Sequence, residues 1–180
     1  SLVGSEMCIR DRVATAPDEG IATVERTARE RNPEAALVRA ASPVTVSDPD
    51  AIRGKRVLCV EDGPTLTHGE MAYGAGVVAA LKMGAEELVD PRPWATGRLA
   101  ETFELYPEIG TLLPAMGYGD EQVADLEKTI NAVECDVVVI GTPIDLTRIV
   151  KIDKPTVRVR YELQEIGSPN LEELLQKFIG

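Results

Sequence analysis

Two phosphate-binding signatures are missing from this 180-residue chain: it holds no GxxxxGK[ST] run and no GxGxxG. Without them there is no sequence sign of a nucleotide phosphate site built on a strand–loop–helix turn. Histidine and tryptophan occur once each, cysteine three times, and aromatics make up 4% of the residues. A lone histidine and the absence of any CxxC or His/Cys spacing exclude a zinc site, so no metal ligands are expected. Three cysteines without a paired framework exclude a disulfide-built secreted fold and point to a reducing cytoplasm. Cys59 and Cys135 each fall inside an apolar run, where a thiol acts as a small buried hydrophobe. No apolar stretch approaches the roughly 20 residues that a helical membrane span requires. Positive charge is also short, since 19 Lys and Arg against 30 Asp and Glu leave a net charge of −11. That balance argues against a general nucleic-acid or anionic-membrane surface. It leaves room for a local phosphate site, which a few cations or one helix N-terminus can make.

The first residues stand apart from the rest. "LVGSEMCIRD" back-translates to codons that resemble a sequencing-library adapter, and Arg12 continues the match. Ser1 to Arg12 are therefore expected to be an artefact. Native sequence would then begin near Val13, as the C-terminal part of a longer protein.

From there the pattern alternates between helix and strand periods. Pro17 to Arg31 has Asp18 and Glu19 in a first turn, a stripe of Ile21, Val24 and Ala28, and an Asn32-Pro33 stop, which predicts a helix. "AALVRA", Ala35 to Ala40, reads as a short buried strand, and the turn-rich "ASPVTVSDPDAIRGK" follows it. That stretch separates an incomplete unit, residues 13–50, from a more complete α/β unit, residues 51–180. In the second unit "RVLCVE" (Arg56–Glu61) and "EELVD" (Glu86–Asp90) are expected strands, with a helix from Glu70 to Met83 between them. Asp120 is expected to cap a helix whose buried stripe is Val123, Leu126, Ile130 and Val133. "CDVVVIG" has the continuous β-branched run of a strand buried on both faces. "PTVRVRYEL" alternates, as a half-exposed or edge strand does, and Asn170 opens a last amphipathic helix. The whole predicts an α/β fold with a mostly parallel, doubly wound, Rossmann-like sheet. The segment from Pro91 to Gly119 is too long for a plain connector and is expected to be specifically packed or functional.

Open α/β sheets collect ligands beyond the carboxyl ends of their strands. Two such ends carry unusual loops. "EDGPTLTHG" offers Glu61 and Asp62 as metal or general-base groups, the hydroxyls of Thr65 and Thr67, the imidazole of His68, and Gly69 at the entry to a helix. Gly74 and Gly76 would let that helix approach the sheet or a ligand closely. A plain turn with His68 at the surface accounts for the same residues, and both readings stand. "GTPIDLTRIVKIDK" offers Thr142, Asp145, Arg148 and Lys151, with Lys154, Arg158 and Arg160 just beyond. In so acidic a chain this basic concentration suits a phosphate pocket, or equally a charged, solvated edge strand. Asp90 and Arg92 mark a third strand end, and no nucleophile–base pair is visible.

Longer stretches carry a resemblance. "EDGPTLTHGEMAYGAGVVAA", "VDPRPWATG", "YPEIGTLLPAMGYG", "VVVIGTPIDL" and "KPTVRVRYELQE" resemble the C-terminal part of the cyclic 2,3-diphosphoglycerate synthetase family and its related predicted GTPases. The resemblance runs from Val13 to Gly180. It implies a longer, P-loop NTPase-containing protein that takes ATP or GTP with Mg, its phosphate loop lying upstream. The implied reaction is ATP-driven closure of 2,3-diphosphoglycerate into a cyclic phosphoanhydride, with a regulatory GTPase as the alternative. Catalytic roles would fall to His68, Asp62 and Glu61. Thr65, Thr67, Gly69, Arg92, Thr142, Asp145, Arg148, Lys151, Arg158 and Arg160 would meet the phosphorylated small molecule. "VATAPDEGIATVERTARE" resembles the stretch after the family's guanine motif, with Ala14 where Asp is usual, and Ala41, Ser42 and Pro43 resemble the loop that closes over the base. No nucleic acid or membrane partner is implied, and a homodimer is compatible with the resemblance.

Overall fold

The computed structural model describes residues 18–69 and 72–179, leaving out the side chains of Thr65, His68 and residues 177–179. The expected adapter segment, Ala14 and Glu70 lie outside the described residues. The chain divides into two compact units, residues 18–43 with 161–179, and Val44–Arg160.

The larger unit is built around β3 (Arg56–Asp62). Its run Val57-Leu58-Cys59-Val60 is fully buried, as an inner parallel strand covered on both faces must be. On one side it pairs in parallel with β6 (Val137–Ile140), another fully buried run. On the other side two short parallel strands share its length: β4 (Glu87–Leu88) along the first half and β5 (Leu113–Ala115) along the second. β7 (Thr156–Tyr161) pairs in parallel with β6, and β2 (Val44–Val46) lies outside β7. The order β2-β7-β6-β3-β4, with β5 beside β3, makes an α/β sheet that is mostly parallel. Each large apolar side chain moved from water into such a core contributes about 1.5–3 kcal/mol.

Among the described residues this unit has the α-helices α2 (Gly63–Gly69), α3 (Ala75–Lys82), α4 (Arg98–Leu105) and α5 (Asp120–Ala132). On α3 the small residues Gly76, Ala79 and Ala80 are buried with Val77, which permits close packing. On α5 the expected stripe holds, with Leu126, Ile130 and Val133 buried and Val123 half-buried. Its N-cap is Gly119, one residue before the expected Asp120, and Gln122 Oε1 accepts the Gly119 N–H at 3.2 Å. At the other end of α5, Lys154 Nζ donates to the carbonyls of Ile130 and Asn131 at 3.1 and 2.6 Å.

In the smaller unit α1 (Asp18–Arg31) has no fully buried residue. β1 (Ala40–Ala41) and β8 (Gln164–Glu165) form an antiparallel pair, and α6 (Leu171–Ile179) closes the unit. α6 begins with a reciprocal cap, in which Asn170 Oδ1 accepts the Glu173 N–H at 2.7 Å and Glu173 Oε2 accepts the Asn170 N–H at 3.2 Å.

Several expected elements change. "EDGPTLTHG" is not a loop: β3 runs through Asp62 and α2 begins at Gly63, with Pro64 where a helix needs no N–H. The helix expected from Glu70 begins at Ala75, where a carboxylate from β3 receives its first amides. Of the expected strand Ala35–Ala40 only Ala40 finds a partner ladder, together with Ala41 beyond it. β2 emerges inside the segment read as turns, and it covers β7, which is therefore not an edge strand. The Pro91–Gly119 segment contains a 3₁₀ turn (Arg92–Trp94), α4 and β5.

Candidate functional site at the carboxyl edge of the sheet

β3, β5 and β6 end side by side, and each hands a polar residue to the same edge. β3 ends on Glu61-Asp62, β5 runs on into Met116-Gly117-Tyr118, and β6 runs on into Gly141-Thr142. Successive strand residues face opposite ways, so Glu61 and Asp62 serve different surroundings.

Glu61 turns inward and is only 2% exposed. Its Oε1 accepts the Val77 N–H at 2.8 Å, and the N–H groups of Gly76 and Gly74 add hydrogen-bond stabilisation of the charged form. These are the first amides of α3, so Glu61 supplies the negative charge that a helix N-terminus favours. Three glycines make room for it. A methyl group at Gly74 would stand 2.5 Å from Oε2, one at Gly76 3.0 Å from Oε1, and one at Gly141 would collide with Oε2 and lie 2.8 Å from Gly76 N. Burial dominates the ionisation of Glu61, outweighing the three amides and pushing the pKa up to about 7, with the Asp62 charge adding to the rise.

Asp62 is half-buried on the other side of the strand, towards Tyr118. Burial pushes the Tyr118 phenol upward, the Asp62 charge adds to that, and the nearby Thr142 hydroxyl partly offsets it. The Tyr118 and Thr142 oxygens do not meet in hydrogen-bonding geometry, and the buried Tyr118 hydroxyl has no partner among the described residues. Thr142 is 2% exposed, and its hydroxyl donates to Ile144 O at 2.7 Å.

α2 is fixed to this edge at both ends. At its start a methyl group on Gly63 would lie 2.8 Å from Ala115 O, so the helix abuts β5 directly. Beyond its end, Ala72 O accepts the Gly110 N–H at 2.9 Å. Thr67 turns back onto its own helix, donating to Gly63 O at 3.2 Å. Thr65, His68 and Gly69 lie on this helix, and the side chains of Thr65 and His68 are outside the described residues.

The basic residues do not gather into one group. Arg158 Nη1 pairs with Asp145 Oδ2 at 3.2 Å, and Nη2 donates to Pro143 O at 3.0 Å. Asp145 is held below the usual carboxylate range, first by the Thr147 hydroxyl and then by Arg158. Arg148 and Arg160 are exposed, and Lys151 is exposed beside Asp153 at 3.8 Å. Arg92 serves its own segment: Nη1 meets Asp90 Oδ1 at 3.1 Å, Nη2 donates to Ile109 O, and the guanidinium lies 4.7 Å from the Phe103 ring centroid. Ala41, Ser42 and Pro43 belong to the smaller unit, with Ala41 buried in β1. Among the described residues no group of three His, Cys, Asp or Glu side chains could hold a metal ion.

The edge thus unites Glu61, Asp62, Thr142 and the helix of Thr67 and His68, while Arg92 and Lys151 are engaged elsewhere. Sequence reasoning missed Tyr118 and Gly141. Gly141 had a signal, a glycine directly after the β-branched run of β6, whereas Tyr118 had none short of the β3–β5 pairing.

No family model matches the chain. It is 51% identical over 174 residues to the protein named arginine synthetase ArcE of Thermococcus kodakarensis. That similarity covers 97% of this chain, and the chain spans 39% of the length of that relative.

Proposed function

We propose that the chain is part of a nucleotide-dependent synthetase that forms arginine, and that its sheet edge helps to hold the small-molecule substrate. The observation that carries this reading is the 51% identity to an arginine synthetase across nearly the whole chain. At that identity strands and loops are expected to coincide, so a corresponding sheet edge is expected in that relative. In such a synthetase a nucleotide supplies the free energy of bond formation. The groups for nucleotide phosphates and Mg are not built here as a phosphate loop or, among the described residues, as a set of three metal ligands. They are assigned to the part of the longer protein beyond this chain, in a fold of doubly wound, Rossmann-like type with a P-loop domain. No helix among the described residues is long and apolar enough to cross a membrane, and a cytoplasmic enzyme is part of the proposal.

Substrate atoms would be met by the half-buried Asp62 carboxylate and Thr67 hydroxyl, with the Thr142 and Tyr118 hydroxyls buried behind them. Arg148 and Arg160 are the exposed cations available to an anionic group. Positioning of this kind is what ligation chemistry needs most from a protein. A second reading, closure of 2,3-diphosphoglycerate or GTP hydrolysis without it, is favoured by the strand-end motifs "EDGPTLTHG" and "GTPIDL".

The test uses the full-length protein with ATP or GTP, ammonia and a ureido precursor of arginine, followed by amino-acid analysis. A parallel reaction contains 2,3-diphosphoglycerate. Nucleotide-dependent arginine is the expected product. Nucleotide consumption that responds only to the diphosphorylated acid, or to neither substrate, rejects the arginine reading.

A further inference from the structure

The apolar core cluster runs from Ile52 to Val159, within the larger unit. Among the described residues of the smaller unit, only Ala40 and Ala41 are buried hydrophobics. We propose that the smaller unit is a docking surface for the further polypeptide of a longer protein, which packs an apolar layer of its own against α1 and α6.

Each element of this unit is of a kind that needs covering. α1 carries Ile21, Val24 and Ala28 at helical spacing, yet all three are only half-buried and no residue of the helix is fully buried. A helix of 14 residues draws most of its stability from a packed apolar face, so a half-covered one forgoes much of it. On α6, Leu171 and Leu175 are four residues apart and so share a face, and they are 46% and 55% exposed. Leu163 and Ile166, on either side of β8, are exposed as well. β1 and β8 pair over two residues each, and a two-stranded ladder is marginal by itself. Polar links nonetheless hold these pieces together. Arg39 Nε donates to Glu25 Oε1 at 2.6 Å, the Ile166 N–H to Arg39 O at 2.8 Å, and the Leu171 N–H to Glu165 Oε1 at 2.8 Å. The links position the apolar faces and leave them uncovered.

The length of the relative points to the occupant. The chain spans 39% of that protein, so more than half of the relative lies outside the matched region. Residues 18 and 179 both belong to the smaller unit, so polypeptide joined at either end would enter or leave through it. A segment tethered there meets α1 and α6 at high effective concentration, without the translational loss that a separate partner incurs. A second copy of the chain would have to reach the same faces past that tethered polypeptide. Burial of Leu171, Leu175 and the α1 stripe under a covalently joined layer gives the smaller unit the shared core that it lacks alone.

The experiment compares hydrogen exchange of residues 18–31 and 163–176 in this chain and in the full-length protein, each referred to the core amides of β3 and β6. Protection of both segments should be about 10-fold or more higher in the full-length protein. Leu175→Asp in the full-length protein should remove the gain on α6 and leave β3 and β6 unchanged. Equal protection of the two segments in the two wild-type proteins overturns the proposal. Protection in this chain that rises with its concentration assigns the faces to a second copy and overturns it as well. A gain on α6 that survives Leu175→Asp overturns the assignment of that helix, and the wild-type comparison decides the proposal even if the variant fails to fold. No turnover is measured, so the outcome is independent of the arginine reading.

Discussion

Replacing Arg92 by alanine removes an ion pair, two carbonyl partners and a ring contact in a single step. The Asp90 pair is worth little, about 0–1 kcal/mol, because both side chains are substantially exposed. The guanidinium over Phe103, a nearly buried ring, contributes about 0.5–2 kcal/mol. The bond to Ile109 O weighs more, since a charged donor lost from a part-buried carbonyl costs about 1–3 kcal/mol. The contact with Gly110 O, at 3.4 Å, is long and adds little. With imperfect additivity the loss should be about 2–4 kcal/mol for Arg92→Ala and about half that for Arg92→Lys, which keeps the charge but not the fork. Urea unfolding measures it: at a slope of about 1–3 kcal/mol/M, the midpoint of Arg92→Ala should fall by roughly 1–2 M. A loss below about 1 kcal/mol would mean that the residue is free for a ligand, restoring the phosphate role suggested by its strand-end position.

Two glycines with positive φ separate backbone strain from capping. Gly54→Ala (φ +65) meets open space and should cost about 1 kcal/mol, whereas Gly97→Ala (φ +56) also crowds the Asp125 carboxylate that caps α4 and should cost about 2–3 kcal/mol. Equal losses in thermal unfolding would show that the cap contributes nothing. Tyr118→Phe removes a buried hydroxyl that has no partner among the described residues, so Tm should hold or rise while substrate affinity of the full-length protein falls. A clear drop in Tm would show that the hydroxyl is bonded within the protein.

Much of the sheet was legible in the sequence because a continuous β-branched run has few alternatives. "VLCV" and "VVVI" became the two central strands, and Val157 and Val159 alternate as read. The stripe on α5 was legible for the same reason, its period being local. What failed depended on partners distant in sequence. β2 is three residues long and exists as a strand through β7, more than a hundred residues away. α2 was hidden because Gly, Pro and Thr signal a turn locally, while the end of β5 against Gly63 fixes a helix. The candidate site was legible in place but not in composition. Strand order pointed to the carboxyl edge, yet nothing near residue 118 announces a tyrosine beside Asp62.

The same physics explains why a helix N-terminus at that edge is a poor guide to an anion site in this chain. α3 receives its negative charge from Glu61, 16 residues before Val77, and α4 receives its own from Asp125, 27 residues after Arg98. In both places a glycine sits where a Cβ would strike the carboxylate, so cap and glycine form one device assembled across the fold. An acidic chain can meet its own helix dipoles in this way, and a ligand phosphate brought to the start of α3 would face a buried carboxylate rather than free amides. An anionic group would have to be met on the other side of β3, where Asp62 adds a like charge and Thr142 and Tyr118 offer hydroxyls. Neutral or cationic parts of a substrate suit that side better than a phosphate does. This electrostatic difference is a reason to weigh an amino-acid substrate above a doubly phosphorylated one.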